Sequence, residues 1–331
     1  MVAGTPLDRA AARVLDSRAS AVRAHLAQVL DGPGKDPEDV HQLRVATRRF
    51  TAALSIFRNS LQGRRRRELR GLARRLRQSA GDLRDLDVLE SMLQDRLRTV
   101  AHRANPVHGD CARVLARRRQ MARRQLVAVG KSVIGVFARS VADAQDRFPH
   151  GEPDDASGPL TLGGAGEKLL RKRLKDLRAA AHRDLDNLES LHTLRIAAKR
   201  LRYAMEIFAS CYPAKFRQRL YARVERIQED LGHVNDLRNL VRLVREVRRK
   251  LVAGGRGADS SRSDQLLKAV ARSAKGEMKT CQRAFLIQWS DPEFAAFHRE
   301  FKELLARRSG RPSRSYNSGT RMPSVHEEPD P

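Results

Sequence analysis

The chain has 331 residues, and 66 Lys and Arg against 39 Asp and Glu give a formal charge of +27. A hydrophobic fraction of 40% excludes a wholly disordered polycation, while aromatics at 5% leave Leu, Val and Ala to build the core. Charge of that size repels itself in the compact state and attracts polyanions, so a polyanionic partner is the leading inference and an Arg-rich surface background the blander one.

Apolar residues recur at helical spacing along nearly the whole chain, and no segment alternates like a strand, which predicts an all-α fold. Leu7 to Leu30 forms the first helix, closed by Asp31-Gly-Pro-Gly. The next opens at Pro37-Glu38 or Asp39 and runs towards Leu61. Further helices are expected over about 64–80, 83–103, 109–130 and 131–147. Residues 149–166 read as a Gly/Pro/Asp linker. Helices resume near 167–188, 190–210, 214–231, 236–253, 263–281 and 292–307, with a Gly/Ser-rich loop from Gly254. Residues 309–331 have no apolar period and read as a disordered tail.

An internal repeat organises these elements. Val40-His-Gln-Leu-Arg-Val-Ala-Thr-Arg-Arg-Phe aligns with Leu191-His-Thr-Leu-Arg-Ile-Ala-Ala-Lys-Arg-Leu at an offset of 151 residues. At the same offset Gly81-Asp-Leu-Arg-Asp-Leu aligns with Gly232-His-Val-Asn-Asp-Leu. The chain therefore reads as a duplicated helical unit, about 7–148 and 167–307.

On a helix turning about 100° per residue, His41, Arg44 and Arg48 fall on one face, with Arg49 at its edge. Leu43, Ala46, Phe50 and Leu54 fall on the other. The second copy repeats the arrangement with His192, Arg195, Lys199, Arg200, Arg202 and Tyr203 opposite Leu194, Ala197, Leu201 and Met205. Ordinary exposed helices mix acids among their bases to gain i,i+4 pairs. From 40 to 61 there is no acidic residue, so the strip suits an anion, and arginine's planar fork suits phosphate. His41 and His192 would gain charge beside a polyanion; a structural role is the ordinary alternative for any single histidine.

The second repeated element reads as structural. Gly81 and Gly232 are expected to stop one helix, with Asp82 or Asp85 and Asn235 or Asp236 capping the next. A metal site at Asp82, Asp85 and Asp87 is the weaker alternative, because Arg238 occupies one of the corresponding positions in the second copy. No Walker A spacing, HExxH, catalytic triad order or zinc-ligand spacing is present, so neither catalytic residues nor a metal or cofactor is expected. Three cysteines far apart fit a reducing compartment. With no apolar leader and no 18-residue apolar run, a cytoplasmic protein without membrane contact is expected.

The paired His-x-Leu-Arg-(Val/Ile)-Ala-x-(Arg/Lys)-Arg segments and the Gly-x-x-(Arg/Asn)-Asp elements resemble the two signatures of the CHAD domain, the conserved histidine α-helical domain. The resemblance spans about residues 7–307. It implies two four-helix bundles related by a pseudo-twofold axis around a basic pore or groove. It further implies noncatalytic binding of inorganic polyphosphate and association with polyphosphate granules. The implied binding residues are His41, Arg44, Arg48, Arg49, His192, Arg195, Lys199, Arg200, Arg202 and Tyr203. Thr51-Ala52 replace Arg202-Tyr203 in the first copy, so the halves are expected to contribute unequally. No Glu-x-Glu-x-Lys catalytic motif accompanies the domain. Nonspecific nucleic-acid binding through the same strips is the rival expectation.

Overall fold

Asp36 starts the second helix by accepting a hydrogen bond from the Glu38 N–H at 2.8 Å, with Pro37 at the first helical position. Such local signals set most boundaries in the computed structural model, which describes residues 1–31, 36–61, 63–100, 106–145, 160–254 and 258–307. The helices are α1 (Leu7–Asp31), α2 (Pro37–Ile56), α3 (Gly63–Val100), α4 (Pro106–Gln145), α5 (Leu162–Ala181), α6 (Leu188–Phe208), α7 (Ala222–Gly254), α8 (Ala258–Gln288) and α9 (Asp291–Ala306). A 3-10 turn (Ala209–Cys211) and a π-helical segment (Phe216–Tyr221) lead into α7. Among the described residues there is no strand, only an isolated antiparallel bridge between Pro6 and Thr161, and no helix long and apolar enough to cross a membrane.

Four expected boundaries are corrected. The helices expected at 64–80 and 83–103 are one, α3, and those expected at 109–130 and 131–147 are one, α4. Gly81 and Gly232 stop nothing. Leu76, Ala80 and Leu83 around the first, and Leu231 and Val234 around the second, are buried at helical spacing. Packing thus offsets the roughly 1 kcal/mol that an interior glycine costs. Asp85 and Asp236 accordingly lie inside helices rather than at caps. The expected linker ends early, because Thr161 caps α5 by accepting from the Gly164 N–H at 3.2 Å. Residues 149–159 of that linker and the tail at 309–331 lie outside the described residues.

Helices α1 to α4 pack in sequence, with α1 also against α4; α5 to α8 do the same in sequence, and α9 lies on α5. The buried side chains divide into two cores, and both halves of the chain build each of them. The larger runs through α1, α2, α5, α6 and α9 and the adjoining parts of α3, α4, α7 and α8. The smaller joins the distal ends of α3 and α4, through Leu93, Leu97 and Cys111, to α7 and α8, through Leu240, Val244 and Leu267. Helix α2 touches α6, and α3 touches α7 and α8, so the repeated polar faces meet across the middle.

Two glycines check this packing. A Cβ on Gly166 would lie 2.7 Å from Cδ1 of Phe208, a ring that is itself buried against Phe57 at 6.5 Å. Gly166→Ala is expected to destabilise by about 1–3 kcal/mol through overpacking. A Cβ on Gly232 would meet nothing within 4 Å, so Gly232→Ala is expected to stabilise by up to about 1 kcal/mol. Thermal melts of both variants decide this; a destabilised Gly232→Ala would restore the helix-stop reading.

Candidate functional site

Two cavities open where α2 and α6 meet. The smaller, of about 190 Å³, is lined by His41, Arg44 and Arg48 of α2, Arg195 of α6, and Arg84 and Asp85 of α3, with Asp236 and Asn239 of α7 closing it. The larger, of about 360 Å³, is lined by Arg48, Lys199, Arg200 and Tyr203 together with Arg70 and Arg77 of α3 and Arg173 of α5. Arg48 lines both and stands at their junction. The larger cavity carries six basic side chains, Arg48, Arg70, Arg77, Arg173, Lys199 and Arg200, and no carboxylate.

That density of charge shows in proton affinities. Burial, reinforced by Arg48, Arg195, Arg44 and Arg77, pushes the Lys199 ammonium down to about 6. Burial and Arg44 bring Arg48 down to about 10, partly opposed by Tyr203. His41 is lowered by burial and then by Arg84, with Glu38 opposing and Arg44 and Arg48 adding. Each shift means that the charged form lacks a counter-charge it would gain from a bound anion. Tyr203 lies beside Lys199 and Arg202, its ring 6.0 Å from Nζ of the first and 5.7 Å from the guanidinium of the second.

The second repeated element supplies the site's acids. Arg44 donates through Nη1 to Oδ1 of Asp85 and, at 3.3 Å, to the Gly81 carbonyl. Asp236 holds the corresponding place near Arg195. Burial raises its carboxyl, while Arg195 and a hydrogen bond from Asn235 lower it. Asp85 thus fixes the direction of Arg44 in the first copy, while in the second Asp236 lies near Arg195. The metal alternative at Asp82, Asp85 and Asp87 is not assembled: Asp85 holds Arg44, and Asp87 accepts from Arg119 at 2.6 Å.

Not every residue of the strip faces these cavities. Arg49 lies 3.2 Å from Glu206, a half-buried acid also approached by Arg18 at 3.8 Å and hydrogen-bonded by the Tyr221 hydroxyl at 3.1 Å. Arg202 donates to Glu225 at 2.8 Å. His192 is half-buried and lines neither cavity. The strip is therefore acid-free along α2 alone: Glu206 of α6 and Glu225 of α7 take up Arg49 and Arg202, while the larger cavity is lined by bases without a carboxylate.

Sequence reading missed Arg70, Arg77, Arg84 and Arg173. The first three recur every seventh residue, which keeps them on one face of a continuous helix. Splitting α3 at Gly81 hid that period. Arg173 carried no such signal; it enters through the packing of α5 against α6.

A model of the CHAD domain family matches residues 13–245. Among solved structures, the CHAD domain from the plant Ricinus communis superposes with a TM-score of 0.62 and 23% identity, covering 92% of this chain and 94% of that one. PptA from Streptomyces chartreusis superposes with a TM-score of 0.63 and 17% identity, covering 87% of this chain and 100% of that one. Both likenesses concern the fold. No curated protein sequence matches the chain.

Proposed function

The chain belongs to the CHAD domain family, and on that premise we propose that it binds inorganic polyphosphate, without chemistry, in the groove formed by the two cavities. The observation that carries this reading is the larger cavity's six bases with no carboxylate. A linear polymer with about one negative charge per phosphate offers no bases to read, so charge density and phosphate geometry decide its recognition. Arg48, Lys199, Arg77, Arg70, Arg173 and Arg200 take the chain in the larger cavity, and His41, Arg84 and Arg195 continue the path. Nε of Arg195 is buried without a hydrogen-bond partner, and a phosphate oxygen supplies the missing acceptor. Asp85 orients Arg44 rather than acting as acid or base.

The internal repeat fits two related helical bundles. The backbone supports that arrangement where the two copies begin: the Leu7 N–H donates to the Leu160 carbonyl and the Leu162 N–H to the Thr5 carbonyl, each at 2.8 Å. The copies serve the ligand unequally, since His41 lines the smaller cavity while its counterpart His192 lines neither. A cytoplasmic location at polyphosphate granules follows from this ligand.

Calorimetric titration with polyphosphate of defined lengths tests the reading. Affinity is expected to fall steeply with salt as counterions are released, as it does for other polyanions. Phosphate release in the presence of Mg²⁺ is expected to match a no-protein control. Weak binding that ignores salt would count against the groove, and phosphate release above the control would count against a binding-only role.

A further inference from the structure

Outside the two cavities, three ligand groups converge between α7 and α8, and a fourth, Asp230, stands beside them. His233 of α7 and Glu277 and Cys281 of α8 each place one donor atom within 4.8 Å of the other two. His233 Nε2 lies 3.0 Å from Oε1 of Glu277. Glu277 and Cys281 are four residues apart on α8, so both project to the same side of that helix. One turn before His233 stands Asp230, whose Oδ2 is buried without a hydrogen-bond partner. Asp230 lies near enough to Cys281 that, after burial and Glu277, it helps to raise the thiol's pKa. A buried carboxylate oxygen with no donor is costly unless something positive meets it.

We propose that Asp230, His233, Glu277 and Cys281 form a zinc site that clamps α7 to α8. One imidazole nitrogen, one thiolate and two carboxylate oxygens are a donor set for a tetrahedral zinc ion, and the soft sulfur with imidazole disfavours magnesium and calcium. Arg96 of α3 donates to Oε2 of Glu277, which leaves Oε1 turned towards His233. It thus orients the ligand from behind, as outer hydrogen bonds do in metal sites. Binding forms a Zn–S bond as Cys281 loses its thiol proton to solvent, while His233 binds through a ring-nitrogen lone pair and Asp230 and Glu277 through carboxylate oxygens. The hydrogen bond between His233 and Glu277 gives way to two bonds to the metal.

The place suits a clamp. Cys281 and its neighbour Met278 pack against both cores, so an ion there ties α8 to α7 at the level where the two cores meet. His233 and Glu277 are exposed and Cys281 is half-buried, which gives a path from solvent. A Cβ on Gly232 or Gly276, the residues preceding His233 and Glu277, would meet nothing within 4 Å. His233 and Glu277 stand 44 residues apart, so no short spacing betrays the site in the sequence.

Cobalt(II) reads this directly. The full-length, reduced protein, stripped of metal and free of polyphosphate, is titrated with Co²⁺ and then with Zn²⁺. One equivalent of cobalt is expected to give a thiolate-to-metal charge-transfer band and the intense visible bands of a tetrahedral ion, both erased by zinc. Zinc alone is expected to raise the melting temperature. Cys281→Ser should abolish the charge-transfer band, and His233→Gln and Asp230→Asn should each weaken cobalt binding at least about tenfold, as loss of a ligand does. The other two cysteines, Cys111 and Cys211, are buried and serve as internal controls. No charge-transfer band in the wild type, a band that survives Cys281→Ser, or unchanged affinity in Asp230→Asn would overturn the site. None of these outcomes bears on polyphosphate binding.

Discussion

Reversing charge at Arg48 and Lys199 together is expected to lower polyphosphate affinity about a thousandfold while the helical circular dichroism spectrum stays unchanged. Arg48 lines both cavities and Lys199 the larger one. A hydrogen bond to a charged group is worth about 1.5–3 kcal/mol, and two such losses amount to about three powers of ten. Neither side chain belongs to the cores, so no cavity opens behind them. Arg77→Ala should cost about tenfold. Arg49→Ala and Arg202→Ala should stay within about threefold, because Glu206 and Glu225 already hold those guanidinium groups. Because folding strips Lys199 of a proton that the unfolded chain keeps, Lys199→Gln should be more heat-stable than the wild type, a common exchange at binding sites. Equal losses at Arg49 and Arg48 would move the ligand towards Arg49 and Glu206.

The second large effect is in pH. Between its ordinary value of 10.5 and about 6, Lys199 holds a proton in the unfolded chain that the folded, unliganded protein lacks. Stability therefore falls as pH falls through that window. A polyanion in the groove supplies the missing counter-charge and returns the lysine towards its ordinary value. Binding then takes up a proton, and affinity rises as pH falls from about 9 to about 6, by at most about tenfold per unit for one proton. His41, lowered in the free protein, adds its own uptake nearer and below its ordinary value of 6.5. Titrations of long chains, whose internal phosphates are all strongly acidic, in buffers of different ionisation enthalpy measure the uptake. Lys199→Met should flatten the slope above pH 7, and His41→Gln should reduce only the part below it. A slope above pH 7 that survives Lys199→Met would place the proton elsewhere. The sequence points to the two histidines; helix periodicity shows which groups share a face but not how deeply a lysine sits among arginines from other helices.

The same division runs through the fold. The strips of α2 and α6 are legible because helical period, repetition and the lack of acid on α2 all agree. Gly81 and Gly232 mislead because a glycine's local preference competes with burial on both sides of it, and burial is a tertiary quantity. That error splits α3 and conceals the heptad spacing of Arg70, Arg77 and Arg84. The pairings of Arg49 with Glu206, Arg44 with Asp85 and Arg202 with Glu225 join residues 157, 41 and 23 positions apart. No local pattern carries such contacts. The repeat places Asp85 and Asp236 at matched positions, and the arginines that lie across from them decide the role it leaves open.

A competition between long-chain polyphosphate and duplex DNA at equal phosphate concentration tests the central claim most directly. On the proposed reading a single phosphate chain enters between α2 and α6, whereas a duplex, with its phosphates on the outside of a stiff cylinder, is expected to reach only the rim. With labelled polyphosphate bound to the full-length protein at physiological salt, added DNA is predicted to leave most of the label in place. It should displace the label readily only from the Arg48→Glu/Lys199→Glu variant. Displacement of the bulk of the label from the wild type by an equal amount of DNA phosphate would contradict the account and make the protein a general polyanion binder.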